Sequence, residues 1–260
     1  MNTTIIKLLL FFSLTSYCQY KTIVPKSGTI VFTSKSIIIN QELYDKSLVA
    51  LKENMMVELR KFNIATENIK ITDTIQHNRV VKSIDESFDQ NFNFLINYAD
   101  KNYNYHHTFD NNKITYHKTI DGILVGNYKT ININEIISTL ATEVSDNYQE
   151  FEVNAFAYFD DNDIIEIKEY RNEKRKIKNF DCFKVVMSYK ETSDGIDFEN
   201  FSDNYVSYKE LWVTEKIKCL YHPIIKYQEV LQRYYPLDII EYSDILKGYI
   251  NKYELVSLKL

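Results

Sequence analysis

Between Tyr103 and Ile131 the side chains alternate with a period of two. The runs Tyr103 to Phe109, Lys113 to Ile120 and Ile123 to Ile131 are separated by the dipeptides Asn111-Asn112 and Asp121-Gly122. Asn, Asp and Gly tolerate the positive φ that two-residue hairpin turns demand. This pattern predicts an antiparallel meander with one face packed and one face wet. A two-residue turn at Asn111-Asn112 also sets a register in which paired residue numbers sum to 223, so His106 stands opposite His117. Tyr105, Phe109, Ile114, Tyr116, Ile120, Ile123 and Val125 then point to the core side. The two imidazoles face the other way, among Thr108, Thr115 and Thr119.

Strand signals recur elsewhere. Gly28 to Ile38 reads as an extended run, followed by a helix capped by Asn40, with Tyr44, Leu48, Leu51, Met55, Leu59 and Phe62 on one face. Ser83 and Glu86 have capping-box spacing, and Ile84, Phe88, Phe92, Leu95 and Ile96 form the stripe of a second helix. Asn134 to Asp146 reads as a short helix carrying Ile136, Ile137, Leu140 and Val144. Phe151 to Phe159 alternates like a strand, and Asp160 to Asp163 is a turn. Ile164 to Glu173, Phe180 to Tyr189 and Tyr205 to Thr214 are further strands. Pro223 suits the first position of a helix running to Tyr234, which Pro236 stops. Leu237 to Tyr242 and Tyr249 to Leu258 form a closing hairpin. The expected fold class is α+β: a large curved antiparallel sheet, in the form of a half-open barrel, with two or more helices packed on one side.

The N-terminus has its own logic. Lys7 precedes the apolar run Leu8 to Leu14, and small or polar residues follow at Thr15 and Ser16. That is the layout of a secretory signal peptide, and the run is shorter than the roughly twenty residues a membrane span requires. Cleavage after Cys18 puts Ser16 and Cys18 at the small positions and leaves Gln19 first. Lipoprotein processing at Cys18 would instead have to accept bulky Tyr17 before it. The expectation is therefore a signal peptide over 1–18 and a single β-rich exported domain over 19–260, in the periplasm, at the outer-membrane surface or outside the cell. No transmembrane span is expected after cleavage.

Loss of residues 1–18 removes Lys7 and takes the formal charge from −5 to −6. An acidic chain argues against nucleic acid as a partner, because phosphates call for a basic stripe. Two cysteines remain, Cys182 and Cys219. An oxidising compartment allows them to pair, and the other reading is two separate buried thiols.

Several later segments share a pattern with one family. EIKEYRNEKRKIKNFDCFKVVMSY carries a basic stretch and a Cys-x-Lys pair, Cys182 and Lys184. ELWVTEKI holds a Trp-x-Thr strand, Trp212 and Thr214. YYPLDIIEY holds Tyr235, Pro236, Leu237 and Ile239, and SGTIVFTSK stands at the start. These resemble the GLPGLI-family and related exported proteins of Bacteroidetes, over roughly the last third of the chain and its first strand. The Gly-Leu-Pro-Gly-Leu-Ile signature itself is absent; Tyr235 to Ile240 stands nearest to it. The resemblance implies export and a strand pattern similar to that of periplasmic lipoprotein carriers. It carries no activity.

Candidate sites follow from residue chemistry. His106 and His117 could hold a metal ion if a third ligand joined them, but the next strand offers Gly126 there. Asp160, Asp161 and Asp163 have carboxylate spacing suited to Ca²⁺, yet lack the glycine and distal glutamate of an EF-hand loop. Asp194 to Asp203 is a second acidic loop. Lys168, Arg171, Lys174, Arg175, Lys176 and Lys178 form a basic cluster that suits a partner surface or a lipid headgroup. Tyr103, Tyr105, Phe109, Tyr116, Phe156, Tyr158 and Trp212 could line an apolar cavity or fill an ordinary sheet core. No nucleophile, zinc or nucleotide motif is present, and no cofactor is expected. The leading expectation is a non-enzymatic binding or carrier protein for a hydrophobic ligand, a lipid, or a lipidated or extended peptide. The alternatives are an interaction module of an envelope assembly and, more weakly, a hydrolase.

Overall fold

The computed structural model describes residues 22–66, 102–132, 142–144, 151–153, 158–190 and 206–260, with the single positions 82, 88 and 156. The strands are β1 (Ser27–Ile38), β2 (Asn104–Asp110), β3 (Lys113–Ile120), β4 (Ile123–Asn132), β5 (Thr142–Val144), β6 (Phe151–Val153), β7 (Ile164–Ile177), β8 (Phe180–Lys190), β9 (Val206–Thr214), β10 (Tyr235–Tyr242) and β11 (Tyr249–Lys259). The helices are α1 (Gln41–Thr66) and α2 (Gln228–Arg233).

Nine strands form one antiparallel sheet in the order β4-β3-β2-β1-β11-β10-β9-β8-β7, and β5 and β6 pair separately. Two meanders thus meet at the centre, where β1 lies between β2 and β11. The sheet is not closed: β4 and β7 are its edges. Among the described residues α1 is the only substantial helix, so the expectation of two or more helices on one side is reduced to α1 and the six-residue α2. Of the expected second helix only Phe88 is described, helical and buried; Lys82, just before the expected start, is helical as well. The remainder of that stripe, and Ile136, Ile137 and Leu140, lie outside the described residues.

The β2–β3 pairing follows the expected register, from Asn104↔Thr119 to Asp110↔Lys113. Asp121 and Gly122 both take positive φ, while at the other turn Asn111 alone does so. The β3–β4 register then slips between Tyr116 and Lys118, so His117 does not meet Gly126. Ile123 was expected on the core side but is 73 % exposed, because it lies at the tip of the edge hairpin.

Alternation along the strands builds the core. Ile30, Phe32, Phe109, Ile114, Phe156, Tyr221 and Tyr235 pack in one cluster. Val185, Met187, Leu211, Val213, Ile225 and Ile239 pack in a second, to which α2 contributes Val230 and Leu231. Burial of such side chains is the main favourable term for the fold.

Asn40 caps α1 as expected, its Oδ1 accepting the Leu43 N–H at 3.0 Å. Gly248 docks this helix start. Its carbonyl accepts the N–H groups of Ile39 and Asn40, and its φ of +80° brings it so close that a Cβ would lie 2.4 Å from the Asn40 oxygen. Tyr44 stacks on Tyr249 at 5.9 Å. The expected stripe is half-buried at Tyr44, Leu48, Leu51 and Met55; the side chains of Leu59 and Phe62 lie outside the described residues.

Two expected helices are corrected. Within Asn134 to Asp146 the described part, Thr142–Val144, is strand and pairs with Phe151–Val153; β-branched Thr142, Val144 and Val153 suit a hairpin. The helix expected from Pro223 begins only at Gln228. His222 Nδ1 accepts the N–H groups of Ile224 and Ile225, both at 3.0 Å, as a helix cap would, but the chain bends there without forming a helical turn. Tyr227 is extended, and the Lys226 carbonyl accepts the Phe159 N–H. The helix ends before Pro236, which sits inside β10 at a bulge, where its missing N–H is tolerated.

Candidate functional site

β7 and β8 pair regularly as far as Tyr170↔Lys184, and then the register slips to Lys174↔Phe183. Arg171, Asn172 and Glu173 are therefore extra residues on the edge strand. Such an insertion bends a strand and re-aims its side chains. Beside it lies a hollow of about 620 Å³ lined by Arg171, Lys174, Arg175, Lys176, Asp181, Cys182 and Phe183. Four of the seven lining residues are cationic and one is anionic, on a chain whose formal charge is −5.

The two arginines are held from outside the hollow. Arg171 hydrogen-bonds Glu169 and, at 2.8 Å, Glu215, and its guanidinium lies 4.4 Å from the centre of the Phe183 ring. These two carboxylates, Glu215 above all, raise its affinity for its proton further. Arg175 hydrogen-bonds Asp238 and lies 4.5 Å over Trp212. Glu169, Glu215 and Asp238 do not line the hollow. Asp181 is paired with Lys216 at 3.2 Å. Among the described residues no carboxylate forms an ion pair with Lys174 or Lys176.

The motif positions gather on neighbouring strands. Lys184 pairs with Trp212 across β8–β9, and Tyr235 pairs with Thr214 across β9–β10. Cys182 lies at the hollow, buried, with its thiol pushed up to about 11 by desolvation. Cys219 is likewise pushed up to about 11 by burial, and both cysteines are free thiols in the structure. Tyr235, Leu237 and Ile239 are core residues, and Pro236 accepts the His222 Nε2–H at 3.1 Å.

His106 and His117 do come together, with rings stacked at 4.3 Å and 8° from parallel. Desolvation lowers the pKa of both, and His106 also feels His117. His106 Nε2 is 3.2 Å from the Thr119 hydroxyl. Among the described residues no group of three or more His, Cys, Asp or Glu is placed to hold a metal ion.

The acidic turn is structural. Asp160 accepts the Asn162 N–H at 2.9 Å, and Asp161 reaches across to accept the Glu229 N–H at the start of α2. Asp194 to Asp203 lies outside the described residues. Of the aromatic set, Phe109 and Phe156 fill the core and Tyr105, Tyr116, Tyr158 and Trp212 pack against it. Tyr103 is buried under the Lys118 ammonium, 3.7 Å from its ring centre.

Buried His107, Lys209, His222 and Asp238, and half-buried Lys226, were not singled out from sequence. His107 is fully buried, stacked on Phe156 at 5.8 Å, with Tyr116 and Phe109 edge-on, and neither ring nitrogen has a hydrogen-bond partner. Its parity with Tyr105 and Phe109 was the available signal. Lys226 lies 5.9 Å from the Tyr116 ring centre and is pushed down to about 7 by desolvation. Lys209 is buried in the second core cluster's face, bonded to Tyr189 at 3.0 Å and to Glu241, whose other oxygen accepts from Tyr253.

Compared with family models, curated proteins and solved structures, the chain matches none of them.

Proposed function

We propose that the chain is an exported, non-enzymatic binding protein, and that its ligand lies on the face of β7–β10 opposite the second core cluster. One observation carries this reading. Val185, Leu211 and Ile239 turn one face of these strands into the second core cluster, whereas their other face presents rings interleaved with charges, Trp212 among them half-buried against the first cluster. Lys184, Trp212 and Asp238 stand side by side across β8, β9 and β10, with Arg175 over the indole. Further along the same face, Tyr208 and Tyr242 stack at 4.3 Å and 13°.

Rings take the apolar part of a ligand, and adjoining charges orient its polar end. A lipid or a lipidated or extended peptide has that composition. The signal-peptide pattern supports an extracytoplasmic location, and Trp212 and Thr214, positions of the family resemblance, lie on β9 within this region.

Trp212 is the only tryptophan, so intrinsic fluorescence reports this face directly. The test is native mass spectrometry of protein purified from the envelope of the producing cells, followed by fluorescence titration with the recovered extract. The expected result is a co-purifying amphiphile that shifts Trp212 emission in a saturable way. Protein recovered without ligand, with emission indifferent to envelope lipid extract, would refute the reading.

A further inference from the structure

We propose that the hollow at the β7 bulge is a phosphate-binding site, taking a phosphate ester through Arg171, Lys174 and Lys176 on the Phe183 side of β7, with Arg175 lining it from the Cys182 side. The proposal rests on the binding reading above and names the polar group of the ligand. The hollow, at about 620 Å³, has room for an organic body beside its anionic group.

The four cations divide into two kinds. Arg171 and Arg175 are fixed: carboxylates outside the lining hold each guanidinium, and each lies on an aromatic ring, Phe183 or Trp212. Their planar forks suit phosphate oxygens, and holding them in place beforehand reduces the ordering cost of binding. Lys174 and Lys176 supply charge that no carboxylate among the described residues neutralises. Both lie on the strand that continues from the bulge, so the register slip positions them. Asp181, the one lining carboxylate, is turned to Lys216. Phosphate chemistry has two sources here, a soluble ester or the headgroup of an anionic lipid.

The test uses the full mature chain, the double variant Lys174→Ala/Lys176→Ala, and a control, Lys46→Ala/Lys252→Ala. The control removes the same charge from exposed ion pairs with Glu42 and Glu254, elsewhere on the surface. Calorimetry with glycerol 3-phosphate and inorganic phosphate, and co-sedimentation with phosphatidylglycerol vesicles, measure binding. The expected result is saturable binding to at least one probe, weakened about tenfold or more in the Lys174/Lys176 variant, unchanged in the control, and reduced by salt. Binding to a soluble probe assigns the free source, and binding to vesicles alone assigns the headgroup. No saturable binding to any probe, or equal weakening in both variants, would overturn the proposal. Recovery of a phosphate-free ligand to which Trp212 responds would remove this site while leaving the binding reading intact.

Discussion

Replacing His107 by leucine should stabilise the protein, and the gain should grow as the solution is acidified. His107 has no exposed surface, and both ring nitrogens are without hydrogen-bond partners. A buried polar group left unsatisfied costs about 1–3 kcal/mol, which an apolar side chain of similar size does not incur. The pKa of the ring is held well below its ordinary 6.5, by desolvation first and then by Lys226, His222 and His117. In the unfolded chain the imidazole titrates near that ordinary value, so below about pH 6.5 the unfolded state binds the extra proton and stability falls. The slope from one such group is about 1.4 kcal/mol per pH unit until the folded ring itself titrates. His222, pushed down to about 3 by burial, contributes a similar slope in both proteins. The difference between wild type and His107→Leu therefore isolates one imidazole. Urea unfolding at a series of pH values from 7.5 to 4.5 measures it. The variant should be more stable by about 1–2 kcal/mol at pH 7.5, and the gap should widen by roughly 1.4 kcal/mol per unit below pH 6.5. A variant less stable than wild type at pH 7.5, with a parallel pH profile, would refute the reasoning.

Three further outcomes follow from described contacts. Glu241→Gln leaves the buried Lys209 ammonium without its carboxylate and should cost about 3–5 kcal/mol in chemical denaturation, most of it recovered in Lys209→Met/Glu241→Gln. Gly28→Ala would place a Cβ 1.9 Å from the Lys259 carbonyl at φ +117°, so it should open the end of the β1–β11 ladder and lower Tm. Asp161→Ala removes the acceptor at the start of α2 and should lower stability by about 1 kcal/mol, read as a fall in Tm.

Local chemistry was readable before the fold was known. Period-two alternation and the Asn111-Asn112 turn define the whole β2–β3 register, because a two-residue loop leaves a single pairing. Asn40 and the stripe from Tyr44 to Met55 mark α1 for the same reason: a cap and a period are short-range features. What failed was local signal that tertiary packing overruled. Pro223 is a sound helix opener and the His222 ring accepts the next N–H groups as a cap would, yet Ile225 and Tyr227 are core residues and the helix starts only at Gln228. The basic cluster was visible as composition, while its conversion into a hollow depends on the slip after Tyr170, which no residue pattern announces. The tethers on its arginines come from Glu215 and Asp238, which lie 44 and 63 positions away in the chain.

β1 and β11, the first and last of the strands, are hydrogen-bonded to each other in the middle of the sheet. During synthesis each meander is therefore a fragment with a raw edge, and the seam cannot be sewn until residues 249–259 have left the ribosome. The two halves are thus joined through a strand that comes last among the described ones. That makes the C-terminus a poor place to trim, because removing those residues would split the molecule along its centre line and expose both halves to one another's kind.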